Sequence, residues 1–279
     1  MMTWLEAAFR WVHVVAGILW IGHLYFFNFV NLQVAKTYDP DSRKKVAPEL
    51  MPRALYWFRW GAVYTWLSGI LLAGLLYWSV DSLVTRRPGG AATIPHMAGV
   101  AIALVAIALV FFVYEAIWRL AGKNERVGVG VLYGAFVVVL FLLSRIFTGR
   151  AVFMHAGMLF GTIMVMNVWM RIWPAQKRII RAVKGLAPAP EPSVPALAAL
   201  RSKHNAYMSV PLIFTMVANH YPTIYAQDES WLILAAIVAL GFVVTKLLYL
   251  KSAGSAPALY GAAAAEPHGG TPGMAAPKA

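Results

Sequence analysis

Long apolar stretches dominate this chain and restrict the folds open to it. Each is close in length to the roughly 20 residues that a helix needs to cross a hydrocarbon core of roughly 30 Å. Because unpaired backbone groups are costly in lipid, a chain with several such stretches folds as a bundle of membrane-spanning helices. The composition agrees, since 60% of the residues are hydrophobic and 13% are charged. The sequence therefore predicts an all-α, polytopic transmembrane bundle of about seven spans, at about 4–33, 54–78, 97–119, 128–147, 151–173, 205–220 and 230–250.

The lysines and arginines predict the orientation of the bundle. Cytoplasmic loops of membrane proteins carry an excess of these residues. With seven spans, eighteen of the 24 fall on one side of the bilayer and five on the other, and Arg59 lies inside the second span. The N-terminus is therefore predicted to face outwards and the C-terminus the cytoplasm, in the inner (plasma) membrane of a bacterium. The same distribution accounts for the net charge of +13 without a nucleic-acid partner.

Two segments differ in composition from the predicted bundle, which covers residues 1–251. The stretch 187–195 reads APAPEPSVP. Because prolines inside a helix remove backbone donors, a cytoplasmic loop is predicted over 185–200. Residues 252–279 are rich in Gly, Ala and Pro and poor in bulky apolar side chains, which predicts a disordered cytoplasmic tail.

Cysteine is absent from the sequence. This excludes disulfides, iron–sulfur clusters and a covalently attached c-type haem, because all of these need cysteine sulfur. Any metal or haem must be held by His, Met, Lys, Tyr or carboxylate.

Ionisable side chains recur inside the apolar stretches, where they are costly and generally face the bundle interior. The predicted topology places four histidines toward the outer side and two toward the inner side: His13, His96, His155 and His220, then His23 and His204. Any one of them could instead hydrogen-bond a carbonyl of a neighbouring helix. Arg59 and Glu115, both toward the inner side, are predicted to compensate each other's charge.

Two classes of function remain open from the residues alone. Histidines from different helices can hold a haem within a bundle, which favours a redox protein. Histidines that titrate along a path, with Arg59 attracting an anion, instead favour a transporter or a proton relay. The spacing of the histidines does not decide between these classes.

Four stretches resemble the membrane domain of the cytochrome-c-linked urate oxidases, which are urate hydroxylases. They are HVVAGILWIG (13–22), WFRWGAVYTWLSG (57–69), RIFTGRAVFMHAGMLFGTIMVMNVWMRIWPAQ (145–176) and RSKHNAYMSVPLIFTMVANHYP (201–222). The resemblance keeps the same order from the first span to the sixth and covers most of the chain to about residue 250. Its patterns RxFxGRAxxxHxG and RSxHNxY…NHYP are long and specific.

The resemblance implies an integral membrane enzyme of purine catabolism that oxidises urate to 5-hydroxyisourate and passes the electrons to cytochrome c. The implied catalytic residues are Arg145, Arg150, Asn205 and Asn219. The implied cofactor-binding residues are His13, His155, His204 and His220, with His23 added, and the metal ligands among them are His13, His155 and His220. The histidine motif of the first span is also similar to one in small haem-binding membrane oxidases, which implies haem b.

Chemistry gives these residue types distinct roles. An arginine near the outer surface would orient an anionic purine by charge-assisted hydrogen bonds, and a histidine could accept a proton as electrons leave. The alternatives to an enzyme are a small-anion transporter and a non-enzymatic haem-binding membrane subunit.

The sequence departs from the family pattern in four places. The pattern continues into a further span and a cytochrome c domain with CxxCH, whereas this chain has no cysteine, so the electrons need a separate cytochrome c or other acceptor. The pattern also has Glu in place of Gly61, Asp in place of Asn31 and Ser in place of His23. The loss of two carboxylates and the gain of a histidine suggest a changed proton path or a substrate related to urate.

Overall fold

The computed structural model describes residues 2–122 and 124–254, which are almost entirely helical. Its α-helices are α1 (Met2–Tyr25), α2 (Leu32–Val34), α3 (Pro40–Ala73), α4 (His96–Ala121), α5 (Glu125–Ser144), α6 (Gly149–Asn167), α7 (Trp173–Val183), α8 (Ser193–Val217), α9 (Pro222–Tyr225) and α10 (Ser230–Gly254). Most of the predicted tail, residues 255–279, lies outside the described residues, while 252–254 belong to α10. The predicted all-α, polytopic bundle is confirmed.

Within residues 2–122 and 124–254, six helical segments are long and apolar enough to cross a membrane. The sixth of the seven predicted spans, 205–220, falls in α8 and is not among them. The reason is its composition: α8 buries polar side chains, including Arg201, Asn205 and Ser209, because it packs between other helices rather than against lipid. Hydrogen bonds from the two ends of α6 reach the middle of α8 at Asn205 and the 3-10 turn after α8 at Asn219. Since α8 and α6 run antiparallel over this length, α8 crosses the bundle as a seventh helix.

Two predicted boundaries are wrong by several residues. The predicted loop 185–200 is shorter, because α8 begins at Ser193. Pro195 lies in the first turn of α8, where a missing backbone N–H costs no helical hydrogen bond. The second span was predicted to start at 54, but α3 begins at Pro40 behind an N-cap, since Asp39 accepts hydrogen bonds from the backbone of Asp41 and Ser42.

Three π-helical segments interrupt the long helices, at Phe26–Asn31, Gly74–Trp78 and Val168–Ile172. A π-helical turn holds an extra residue, so the side chains beyond it are rotated relative to an uninterrupted α-helix. The second segment presents Tyr77 and Trp78, and the third presents Arg171. All three side chains contact polar groups described below.

The first two long helices pack against each other at Gly61. A Cβ atom added there would lie 3.1 Å from the backbone nitrogen of Trp20 and 3.2 Å from the carbonyl oxygen of Ala16. Small residues at such crossings allow helix backbones to approach closely in membranes. The contact therefore depends on the absence of a side chain at position 61.

We expect Gly61→Leu to destabilise the protein, because its side chain must push α1 away from α3. Overpacking of this kind costs about 1–3 kcal/mol. The matched control is Gly22→Leu on α1, where an added Cβ meets nothing within 4 Å. Thermal unfolding of the purified variants in one detergent checks this, and equal melting temperatures for the two would contradict it.

Candidate functional site

An arginine lies at the end of the bundle where α1 begins and α3 ends, which we call the outer end. Arg150 stands in the first turn of α6, and its Nε donates a 2.5 Å hydrogen bond to Oδ1 of Asn219. Its guanidinium carbon is 5.8 Å from the centre of the Tyr77 ring. Tyr77 is buried, and its hydroxyl lies close to Asn219 but forms no well-aligned hydrogen bond among the described residues. The terminal nitrogens of Arg150, the Tyr77 hydroxyl and the positive end of α6 together favour an anion.

His155 is buried beside this arginine, in a box of aromatic rings. Nδ1 of His155 donates to the carbonyl of Ala151 at 2.8 Å, and its Nε2 accepts the indole N–H of Trp78 at 3.2 Å. The rings of Tyr77 and Phe147 pack against the imidazole. Because a carbonyl only accepts hydrogen bonds, the proton of His155 is on Nδ1, and Trp78 occupies the one lone pair on Nε2. We call Arg150, Asn219, Tyr77, Trp78 and His155 the outer cluster.

His13 makes separate contacts with α3. Its Nδ1 lies 3.1 Å from Oγ of Ser68, and that hydroxyl donates its own proton to the carbonyl of Tyr64 at 2.6 Å. His13 is therefore the donor to Ser68, which leaves a lone pair on Nε2. Ser68 and Trp78 are ten residues apart on one long helix, so His13 and His155 contact it at levels separated by about 15 Å.

Of the other residues predicted near the outer end, His96 bonds the carbonyl of Trp78 through Nε2 at 2.9 Å, whereas Arg145 and His220 do not join the outer cluster. Arg145 is exposed, and its guanidinium carbon lies 4.5 Å from the centre of the Phe141 ring. His220 is exposed at the end of the 3-10 turn Ala218–His220. Among the described residues, no group of three or more histidines and carboxylates is placed to hold a metal ion. The structure thus does not assemble His13, His155 and His220 into one site.

The predicted haem b needs imidazole lone pairs directed at iron. His13 has such a lone pair on Nε2, whereas both nitrogens of His155 are engaged in hydrogen bonds. A haem held between His13 and His155 does not fit this arrangement, because Trp78 would first have to release His155. Haem b therefore stays a prediction of the resemblance alone.

A second polar group lies at the opposite, inner end of the bundle. Glu115 of α4 is buried, and its Oε2 accepts a 2.7 Å hydrogen bond from Arg171. Its Oε1 forms a 2.8 Å ion pair with Arg201 of α8. The predicted pairing of Glu115 with Arg59 is wrong, since the Arg59 guanidinium carbon instead lies 4.0 Å above the Trp173 ring. We call Glu115, Arg171 and Arg201 the inner triad.

A chain of hydrogen bonds extends from the inner triad into the bundle. Arg201 donates to the hydroxyl of Tyr114 at 3.0 Å, and this hydroxyl lies 2.6 Å from Nδ1 of His204. Asn167 donates to the same hydroxyl at 3.3 Å and to Oδ1 of Asn205 at 2.9 Å. Asn205, predicted to be catalytic, is fully buried and donates to the carbonyl of Met164. The side-chain hydrogen bonds of Asn205 are made with Asn167 and Met164 of α6, so Asn205 links α8 to α6.

His23 lies apart from both groups. Its Nδ1 bonds the carbonyl of Leu19 at 2.7 Å, one turn earlier on its own helix, and its ring packs against Phe27. Among the described residues it contacts neither the outer cluster nor the inner triad. The contacts give no support to a role for His23 in binding a cofactor.

Sequence reasoning missed Tyr114, Asn167, Arg171 and Arg201 as members of the inner group. The available signal was the spacing of Arg201 and His204. Residues three apart share a helix face, and these two side chains do lie together, with 3.5 Å between Arg201 and Nδ1 of His204. Arg201 had been counted among the loop residues that set the orientation.

Comparison with known proteins gives one family. A family model described as "Urate oxidase N-terminal" matches residues 1–45 and 37–267, which is nearly the whole chain. No curated protein and no solved structure matches. The matched residues contain both the outer cluster and the inner triad.

Proposed function

The chain belongs to the urate oxidase N-terminal family, and on this premise we propose that it is an integral membrane oxidoreductase that oxidises urate or a related anionic purine. The observation that carries the proposal is the outer cluster. An arginine held by Asn219 lies beside a buried tyrosine, whose hydroxyl is close to Asn219 but in no well-aligned hydrogen bond among the described residues. A planar anion with several carbonyl oxygens can accept hydrogen bonds from both groups.

The reaction has a simple balance. Urate and one water give 5-hydroxyisourate, two protons and two electrons, so two one-electron acceptors are needed. We assign this role to a c-type cytochrome, the acceptor that the resemblance implies, since residues 1–279 contain no cysteine to hold such a haem. We propose that the outer cluster faces the periplasmic side of a bacterial inner membrane, which the distribution of lysines and arginines favours, where a soluble c-type cytochrome can reach it.

Each residue of the outer cluster has a role in this proposal. Arg150 binds the anion through its terminal nitrogens, while Asn219 fixes the guanidinium through Nε. Tyr77 hydrogen-bonds a substrate oxygen and closes the site from the bundle interior. His220, exposed and adjacent in sequence to Asn219, accepts a released proton. His155 and Trp78 hold the wall behind Tyr77 in place.

The test is urate consumption coupled to reduction of added cytochrome c, with the purified protein in lipid nanodiscs. We expect Arg150→Ala to lower kcat/KM by roughly 10- to 100-fold, because hydrogen bonds to a charged group contribute about 1.5–3 kcal/mol. Arg150→Lys keeps the charge but loses the planar fork, so it should recover only part of this loss. Arg86→Ala is the matched control, since Arg86 pairs with Asp81 in a loop at the same end.

Three results separate this function from its alternatives. Urate uptake into proteoliposomes without cytochrome reduction would show a transporter. An unchanged rate in Arg150→Ala would remove the outer cluster from the reaction. Arg145→Ala in the same assay tests the assignment that the resemblance makes to Arg145, whose guanidinium lies away from the outer cluster.

A further inference from the structure

A cavity of about 220 Å³ lies near the inner end of the bundle, far from the outer cluster. Its walls are almost wholly apolar and come from five helices, α4, α5, α6, α8 and α10. The lining residues include Leu132, Tyr133, Phe136, Phe160, Val238 and Phe242. The exposed Val129 and the exposed ion pair of Lys203 with Glu125 lie at its edge. The cavity is therefore reached from the lipid-facing side of the bundle, near the membrane surface.

His204 is the polar side chain that the cavity presents to a ligand, since the charged Lys203 and Glu125 pair with each other at its edge. His204 lines it and stacks on Trp118, with ring centres 4.2 Å apart. The Tyr114 oxygen accepts N–H groups from Arg201 and Asn167, and neither of these donors can accept a proton. The hydroxyl of Tyr114 must then donate its own proton to Nδ1 of His204.

This hydrogen bond fixes the tautomer of His204. A nitrogen that accepts a hydrogen bond carries no proton, so His204 is neutral and holds its proton on Nε2. No described residue bonds Nε2, and His204 lines the cavity. An imidazole N–H without an acceptor in apolar surroundings costs free energy, which an acceptor on a ligand would recover.

These properties select the chemistry of a ligand. The ligand must dissolve in lipid in order to enter. The part that it places in the cavity can be no larger than about a single ring, and this part must present an acceptor oxygen to His204. A phospholipid acyl chain has no such oxygen and would leave the N–H of His204 unpaired. An anionic purine would have to leave water for apolar walls, which is costly for a charge.

We propose that this cavity binds the head group of a membrane quinone, with one ring carbonyl accepting the Nε2–H of His204 and the aromatic walls enclosing the ring. The isoprenoid tail of the quinone extends past Val129 into the lipid. This inference concerns binding alone and does not depend on urate being the substrate at the outer end.

The experiment uses the full-length protein in nanodiscs with decylubiquinone as the probe. A photoreactive azidoquinone should label peptides of the five helices that line the cavity, α4, α5, α6, α8 or α10, and decylubiquinone should compete with it. An analogue with the same decyl chain but no ring carbonyl should compete about tenfold less well, which corresponds to the loss of one hydrogen bond. Labelling confined to other helices, or equal competition by the two compounds, would overturn the proposal.

Two variants locate the site within the cavity. His204→Phe should weaken the binding of decylubiquinone about tenfold, so that decylubiquinone and the carbonyl-free analogue bind equally well. Val238→Trp fills the cavity while keeping His204, and should abolish labelling. Leu247→Trp, on the exposed face of the same helix, is the matched control and should bind as the unmodified protein does. Unchanged binding in both His204→Phe and Val238→Trp refutes the site.

Discussion

Replacement of Glu115 by leucine is expected to lower the free energy of unfolding by about 3–5 kcal/mol, because it leaves buried positive charge without a counter-ion. Arg201 is the more affected partner, since its side chain is 5% exposed, against 27% for Arg171. Neither guanidinium can shed its proton at accessible pH. The charge must therefore be accommodated by local opening of α8 or by water entering the bundle.

A second substitution separates this charge effect from a loss of packing. In Glu115→Leu/Arg201→Leu the uncompensated charge is gone, so most of the lost stability should return, as it does when a whole buried pair is replaced by apolar residues. Arg201→Leu also removes a donor to Tyr114, so the recovery should be incomplete. The unmodified protein, the two single variants and the double variant form a double-mutant cycle, which measures the coupling free energy between Glu115 and Arg201.

The measurement is reversible unfolding in mixed micelles, followed by circular dichroism. Glu125→Ala is the control, because the Lys203–Glu125 pair is 44% and 56% exposed, and such pairs contribute about 0–1 kcal/mol. If Glu115→Leu is no less stable than Glu125→Ala, the inner triad does not hold α4, α8 and the third π-helical segment together.

Partner choice at Glu115 shows what the sequence could and could not predict. The apolar stretches and the basic loops place Glu115 and Arg59 at the same depth, which made them candidates for a pair. Depth does not say which helix faces which. The π-helical segment Val168–Ile172 turns Arg171 toward α4, and no periodic pattern reveals that extra residue.

The outer end gives a second example of what the sequence could and could not predict. The family motif predicted that Arg150, His155 and Asn219 matter, and the structure places all three in the outer cluster. The motif could not predict that the indole N–H of Trp78 bonds Nε2 of His155, because this contact depends on the π-helical segment at the end of α3. Gly61, one of the predicted departures from the family pattern, lies where the α1 backbone approaches closely and leaves no room for a side chain.

We expect Gly149→Ala to lower kcat/KM for urate oxidation nearly as much as Arg150→Ala does, although position 149 has no side chain to offer a substrate. A Cβ atom at residue 149 would lie 1.9 Å from the carbonyl oxygen of Tyr225, which no real structure tolerates. The short helix α9 must then move away from the start of α6. Because α9 follows directly on the turn Ala218–His220, Asn219 moves with it and no longer holds Nε of Arg150.

The matched control for this variant lies three turns further along the same helix. Gly161→Ala adds the same methyl group where nothing lies within 4 Å, so its activity and stability should stay near those of the unmodified protein. Decylubiquinone binding should survive in both variants, since the inner cavity is at the far end of α6 from Gly149. If Gly149→Ala keeps full activity, Asn219 does not position Arg150 during the reaction. If it loses quinone binding as well, the damage is global and the two ends of the bundle are not independent.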